Sequence, residues 1–275
     1  MKFLCPVFAL FLLFLNLNGE EKASNEEFVG KSPDKKALLE MVKTPEDSEG
    51  LIQLPLRVRL ITNLELNRKE VKMQTWVTPK EFEETILPEL NRIWKPANIQ
   101  WVLESIAEQP APNLPNRQEL ITYIENSKRN TPEKSYPKRT INILRLCNRA
   151  RGHAVVHNLY LFPYLGQTFQ GFANMRGNHA VITTWTDKPF RAKKPPIKFQ
   201  LAEEPPFKTG SIARTCSHEL GHNLGLQHPD KKTQTHFNRL MGGKKHGYDL
   251  TSEEIKFARK IALKRAQAIR EWATR

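Results

Sequence analysis

From Leu54 the chain alternates. Leu56, Val58 and Leu60 stand between Arg57 and Arg59, the two-residue period of a half-buried strand, which predicts a strand over 54–61. The period then lengthens. Phe82, Ile86, Leu90 and Ile93 or Trp94 recur at helical spacing. Thr78 offers an N-cap and Pro79 a first helical position, so a long helix is predicted over 79–95, ended by Pro96 to Asn98. Pro88 inside it predicts a kink or a break. Further strands are predicted at 99–104, 140–146 and 181–185, and a short helix from Glu119 to Ser127. Residues 109–117 and the proline- and lysine-rich stretch 187–209 read as loops. Four glycines among aromatics between 152 and 178 predict short strands and turns. Two late helices follow, one from about Ile212 to Leu224 and one from Ser252 to Ala273. The second is capped by Thr251 or Ser252, with Glu253 and Glu254 in its first turn.

Strands separated by one long helix and followed by two late helices predict one mixed α/β sandwich; two domains split near 187–209 are the alternative. With 39 % hydrophobic residues, the 275-residue chain has enough apolar side chains to exclude global disorder. Its start is different in kind. Met1 and Lys2 precede an apolar run from Phe3 to Leu17, too short for a comfortable membrane span, which reads as a signal peptide over 1–19. That predicts a secreted or periplasmic protein with no transmembrane segment after signal removal; an uncleaved anchor is the alternative. Residues 20–50 carry nine acids against five bases and read as an acidic leader, either a pro-segment or a solvated tail. The remainder, 51–275, is the predicted globular domain and carries a balance of +17. No nucleic-acid-binding signature accompanies that charge, so no nucleic-acid partner is expected. A solvated surface or contact with anionic surface polymers fits it better. Beyond the signal only Cys147 and Cys216 remain, either as one bridge or as two separate thiols.

Residues 218–228 read His-Glu-Leu-Gly-His-Asn-Leu-Gly-Leu-Gln-His. On a helix, His218 and His222 project from one face a turn apart and can reach one ion. Glu219 is placed to approach a metal-activated water rather than the metal. Gly225 can take the positive φ that ends a helix, which would bring His228 in from another direction as a third ligand. Three protein ligands leave a fourth position for water, the mark of a catalytic zinc site. Ala213, Cys216, Leu220 and Leu224 form an apolar stripe on the same helix, so Cys216 reads as core. His153, His157, His179, His236 and His246 have no ligand spacing as a set.

This extended motif resembles the metzincin zinc metallopeptidases, of the secreted matrixin or reprolysin type. Met241, 13 residues after His228, looks like the family's methionine turn beneath the metal. The resemblance implies a mostly parallel twisted sheet with an antiparallel edge strand, packed against a long helix and the active-site helix. The family's strand and helix order maps onto 54–61, 79–95, 99–104, 140–146, about 171–175 and 181–185. Gly171, Phe172 and Ala173 then look like the edge strand to which a peptide substrate adds by main-chain pairing. Some subfamilies place a tyrosine two residues after the methionine; here that position is Gly243, and Tyr248 is the nearest candidate for a metal or transition-state contact.

The reading is a secreted zinc endopeptidase acting on protein or peptide substrates, with one catalytic Zn²⁺ and Glu219 as general base. A zinc-containing binding module without turnover, or a basic polyanion-binding secreted protein, are the alternatives.

Overall fold

The computed structural model describes residues 33–45, 50–125, 155–166, 170–186, 195–202, 210–229, 238–242 and 247–275. The expected signal peptide 1–19, the expected strand 140–146, Cys147, Gly243 and the histidines at 153, 236 and 246 lie outside the described residues.

The strands are β1 Ile52–Thr62, β2 Leu66–Arg68, β3 Val71–Met73, β4 Ile99–Pro110, β5 His157–Phe162, β6 Gly171–Ala173, β7 His179–Thr183, β8 Trp185–Thr186 and β9 Ile197–Lys198. Five of them make the main sheet, in the order β4–β1–β5–β7–β6. β1 runs parallel to β4 and to β5, and β5 runs parallel to β7. β6 closes the edge antiparallel to β7. The mixed, mostly parallel sheet with an antiparallel edge is therefore present.

One assignment is corrected. The parallel strand beside β1 is His157–Phe162, a stretch that the sequence read only as part of a run of short strands and turns. All six of its residues are buried, so it has no polar face to produce alternation. The short pairing of β8 with β9 likewise places Ile197 and Lys198 in a ribbon within a segment expected to be loop.

Side chains on the two faces of the sheet enter two cores. Leu54, Leu56, Val58 and Leu60 of β1, Leu159 and Leu161 of β5, and Ala180 and Ile182 of β7 pack beneath the helices. Ile61, Tyr160, Phe162 and Val181 face the opposite way, with Leu120, Ile121 and Ile124 of the short helix Arg117–Glu125. A bulge between Leu56 and Arg57 sets Glu104 outside the ladder. There it takes the buried Arg57 guanidinium in a two-pronged pair at 2.6 Å.

The backing helix opens as expected. Thr78 Oγ1 accepts from the Glu81 N–H at 3.2 Å, and Glu81 Oε2 accepts from the Thr78 N–H at 2.8 Å. Between Pro79–Glu81 and Leu87–Trp94 the helix widens into a π turn, Phe82–Ile86, where the Leu87 N–H donates to the Phe82 carbonyl. Pro88 explains the widening, since it has no N–H and its ring crowds the carbonyl four residues back.

The helix Ile212–Asn223 carries His218, Glu219 and His222 and lies against the backing helix, β6 and β7. Ala213, Cys216, Leu220 and Leu224 are fully buried, and Cys216 is a free thiol raised in pKa by burial. The C-terminal helix Ser252–Thr274 seats Ala258, Ala262, Ala266 and Ile269 against the same core. It begins with a Thr251–Glu254 capping box. Part of the acidic leader also belongs to the body. A helix over Lys35–Met41, capped by Asp34, packs Leu38 and Val42 against the C-terminal helix and the sheet, and Lys43 bridges to Gln53 of β1. Residues 33–45 are thus no solvated tail, and the Asp34 carboxylate is engaged as a cap.

Candidate metal centre

The Ile212–Asn223 helix starts at Ser211, whose Oγ accepts from the Arg214 N–H at 3.1 Å. Gly225 ends it in the left-handed region, at φ +84°. The Gly225 N–H reaches the His222 carbonyl and the Leu226 N–H reaches the Gly221 carbonyl, each at 2.9 Å. This is a Schellman stop, and it needs the positive φ that glycine adopts without strain. The chain turns back across the helix end and delivers His228 to the two helical histidines.

The three rings converge. His228 Nε2 lies 3.0 Å from His218 Nε2 and 3.2 Å from His222 Nε2. The three ligand nitrogens all lie within 4.8 Å of one another. The other nitrogens of the helical pair are fixed by backbone. His218 Nδ1 donates to the Leu240 carbonyl at 2.8 Å, and His222 Nδ1 donates to the Leu226 carbonyl at 2.7 Å. A carbonyl only accepts, so both rings carry their proton on Nδ1 and turn an Nε2 lone pair inward. Burial lowers the pKa of His218 and His228 and takes His222 to about 4, which keeps the rings neutral at pH 7. With His228 Nε2 unprotonated as well, three lone pairs meet at one point, where a cation would hold them together. Tetrahedral ligands at 2.0–2.1 Å from zinc are about 3.3 Å apart, close to the 3.0 and 3.2 Å of the two His228 spacings. The donor set fits zinc.

Glu219 is 5 % exposed, and its Oε2 has no hydrogen-bond partner. Burial lifts its pKa to about 8 against the pull of Arg214, and the charge of a bound ion acts in the same direction as Arg214. Edge strand β6 lies on this side chain: a Cβ at Gly171 would sit 2.8 Å from Glu219 Cγ and 2.9 Å from its Oε1. Gly171, Phe172 and Ala173 are therefore on β6, as the resemblance implied, and the first of them covers the carboxylate.

Met241 is fully buried in the turn from Arg239 to Gly242. Its Sδ would lie 2.8 Å from a Cβ at Gly221, so the thioether packs against the helix between the two histidines. Tyr248 is packed on the core with Arg92 of the backing helix over its ring at 5.5 Å.

Two neighbours were not singled out from the sequence. Arg214, 3 % exposed, donates from Nη2 to the Leu240 carbonyl at 2.8 Å and from Nε to the Gly247 carbonyl at 3.0 Å. It shares Leu240 with His218 and ties the methionine turn to the helix. Its signal was available: it is a charge four residues before His218 in an otherwise uncharged opening turn. Asn223, which follows the second histidine, is fully buried and bonds to the β6–β7 hairpin. Nothing local marks that role.

No protein-family model matches the chain, and no curated protein matches it. Two similar solved structures are described as a chaperone–substrate complex and as archaemetzincin from Archaeoglobus fulgidus with malonate. The first shows 14 % identity and a TM-score of 0.37, covering 78 % of this chain and 35 % of that one. The second shows 14 % identity and a TM-score of 0.34, covering 73 % of this chain and 98 % of that one. The chain thus spans about a third of the length of the first. Likeness at this level carries nothing about chemistry, which rests on the geometry of the site.

Proposed function

We propose that this chain is a zinc-dependent endopeptidase of the metzincin kind. The observation that carries the reading is the meeting of three imidazoles, two of them oriented by backbone carbonyls, beside a buried carboxylate with an unbonded oxygen. His218, His222 and His228 would hold the ion. When bound, zinc supplies Lewis acidity, which polarises a carbonyl and makes water a nucleophile near neutral pH.

The chain's own groups do the rest. The carbonyls of Leu240 and Leu226 hold the tautomers that keep two lone pairs inward. Glu219 accepts the proton of the attacking water and delivers it to the leaving amine. Burial makes the carboxylate a stronger base and so helps the acceptance step. β6 offers main-chain groups along the outer edge of the sheet to an extended peptide. Met241 seats the helix between its two ligands. The proposal extends to export, with residues 1–19 as the signal.

The test is Glu219→Gln. Zinc stoichiometry should be retained while peptide cleavage falls about 100-fold or more. Undiminished cleavage by the zinc-loaded variant would remove Glu219 as the base; zinc binding without cleavage by the unmodified protein would select a binding module.

A further inference from the structure

Glu219 and Asn223 are four residues apart, so the helix presents them on one face, turned away from the face of His218 and His222. Both meet the edge hairpin. Glu219 lies under Gly171 near the start of β6. Asn223 lies under its far end, where Nδ2 donates to the Asn174 carbonyl at 3.0 Å and to the His179 carbonyl at 3.1 Å. Those two residues bracket the turn between β6 and β7 and are themselves joined by Asn174 N–H to His179 carbonyl at 3.2 Å.

We infer that Asn223 is a positioning residue which clamps the β6–β7 hairpin to the histidine helix and thereby sets where the edge strand lies over Glu219. Behind the clamp lies the fully buried ring of His157, which packs edge-on to Trp101 at 5.0 Å; Asn223 Oδ1 and both nitrogens of that ring are buried with no hydrogen-bond partner among the described residues. A second tie, from the Arg176 N–H to the His222 carbonyl at 2.9 Å, holds the turn but not the strand carbonyls that Asn223 spans. β6 is three residues long and pairs on one side, so it has little else to hold its register.

The inference rests on the peptidase reading only for what the strand serves; the clamp itself is read without catalysis. In Asn223→Ala, hydrogen exchange at the amides of 171–174 should accelerate about tenfold or more relative to the amides of β1, with zinc content retained. Equal acceleration in both, or none in either, would overturn the clamp. The unmodified protein gives an independent measurement should that variant fail to fold. The side-chain amide protons of Asn223 should exchange as slowly as the backbone of β7, and solvent-like exchange there would overturn it too. Where cleavage is measurable, KM for an extended peptide should rise about tenfold in Asn223→Ala, with a smaller change for a dipeptide-sized substrate. Equal losses on both substrates would make Asn223 a merely structural residue.

Discussion

An alanine at position 171 would bring its Cβ within 2.8 Å of Glu219 Cγ and 3.0 Å of the Val181 carbonyl. The carbonyl belongs to the neighbouring strand and cannot yield, so Glu219 must move. Gly171→Ala is expected to keep its zinc, lose about 1–3 kcal/mol of stability and cleave at least about tenfold more slowly. Metal analysis, a urea midpoint and a peptide assay check the three parts. His157 makes a different prediction. Burial, with smaller contributions from Arg265 and His179, takes it from 6.5 to about 3. The unfolded chain therefore gains a proton between those values that the folded chain refuses. The stability that neutral His157 contributes is complete above pH 6.5 and is lost as pH falls toward 3, at about 1.4 kcal/mol per unit. Urea midpoints from pH 7 to pH 4 should fall less steeply in His157→Gln than in the unmodified protein, by about that slope. These residues also show what a sequence makes legible. His218, Glu219, His222, Gly225 and His228 were readable because helix periodicity and one glycine turn place them within eleven positions. His157 and Asn223 act across the fold, and no local spacing announces them.

Elements were legible where their pattern is one-sided. The alternation of β1, the capped start of the backing helix and the stripe of the histidine helix come from apolar side chains gathered on one face with polar ones on the other, although Arg57 and most polar residues of the histidine helix are buried as well. β5 lies inside the sheet, covered on both faces, and its His-Asn start next to a glycine-rich stretch has no period to read. β4 continues to Pro110, past the point where its apolar residues stop, because its pairing with β1 carries it on. The Lys35–Met41 helix was hidden by composition: the charges around it read as a leader, while Leu38 and Val42, one turn apart, anchor it. Leu38 is fully buried, so Leu38→Ala should cost about 2–5 kcal/mol. A chain beginning at residue 51 should likewise have a lower urea midpoint than one beginning at 33. A dispensable pro-segment would leave that midpoint unchanged, which makes the two readings separable on purified protein.

For the whole molecule the question is whether the proposed zinc ion would hold the fold together. In small zinc domains the ion does so, and chelation unfolds them. Here the ligands sit at one edge of a body with its own cores on both faces of a five-stranded sheet. Two of the three histidines are held by carbonyls of the chain, and Arg214 braces the Leu240 carbonyl. The third, His228, is exposed and follows the helix stop. Metal removal should therefore leave secondary structure intact and loosen mainly the chain from 224 to 229. At free zinc 100-fold above the dissociation constant, binding adds about 2.7 kcal/mol to stability. For a domain of this size that corresponds to roughly 5–10 °C in Tm. Chelation should lower Tm by about that amount with an unchanged far-ultraviolet circular dichroism spectrum at 25 °C, and added zinc should restore it. Collapse of the spectrum on chelation would mean that the sheet and its cores do not stand without the ion.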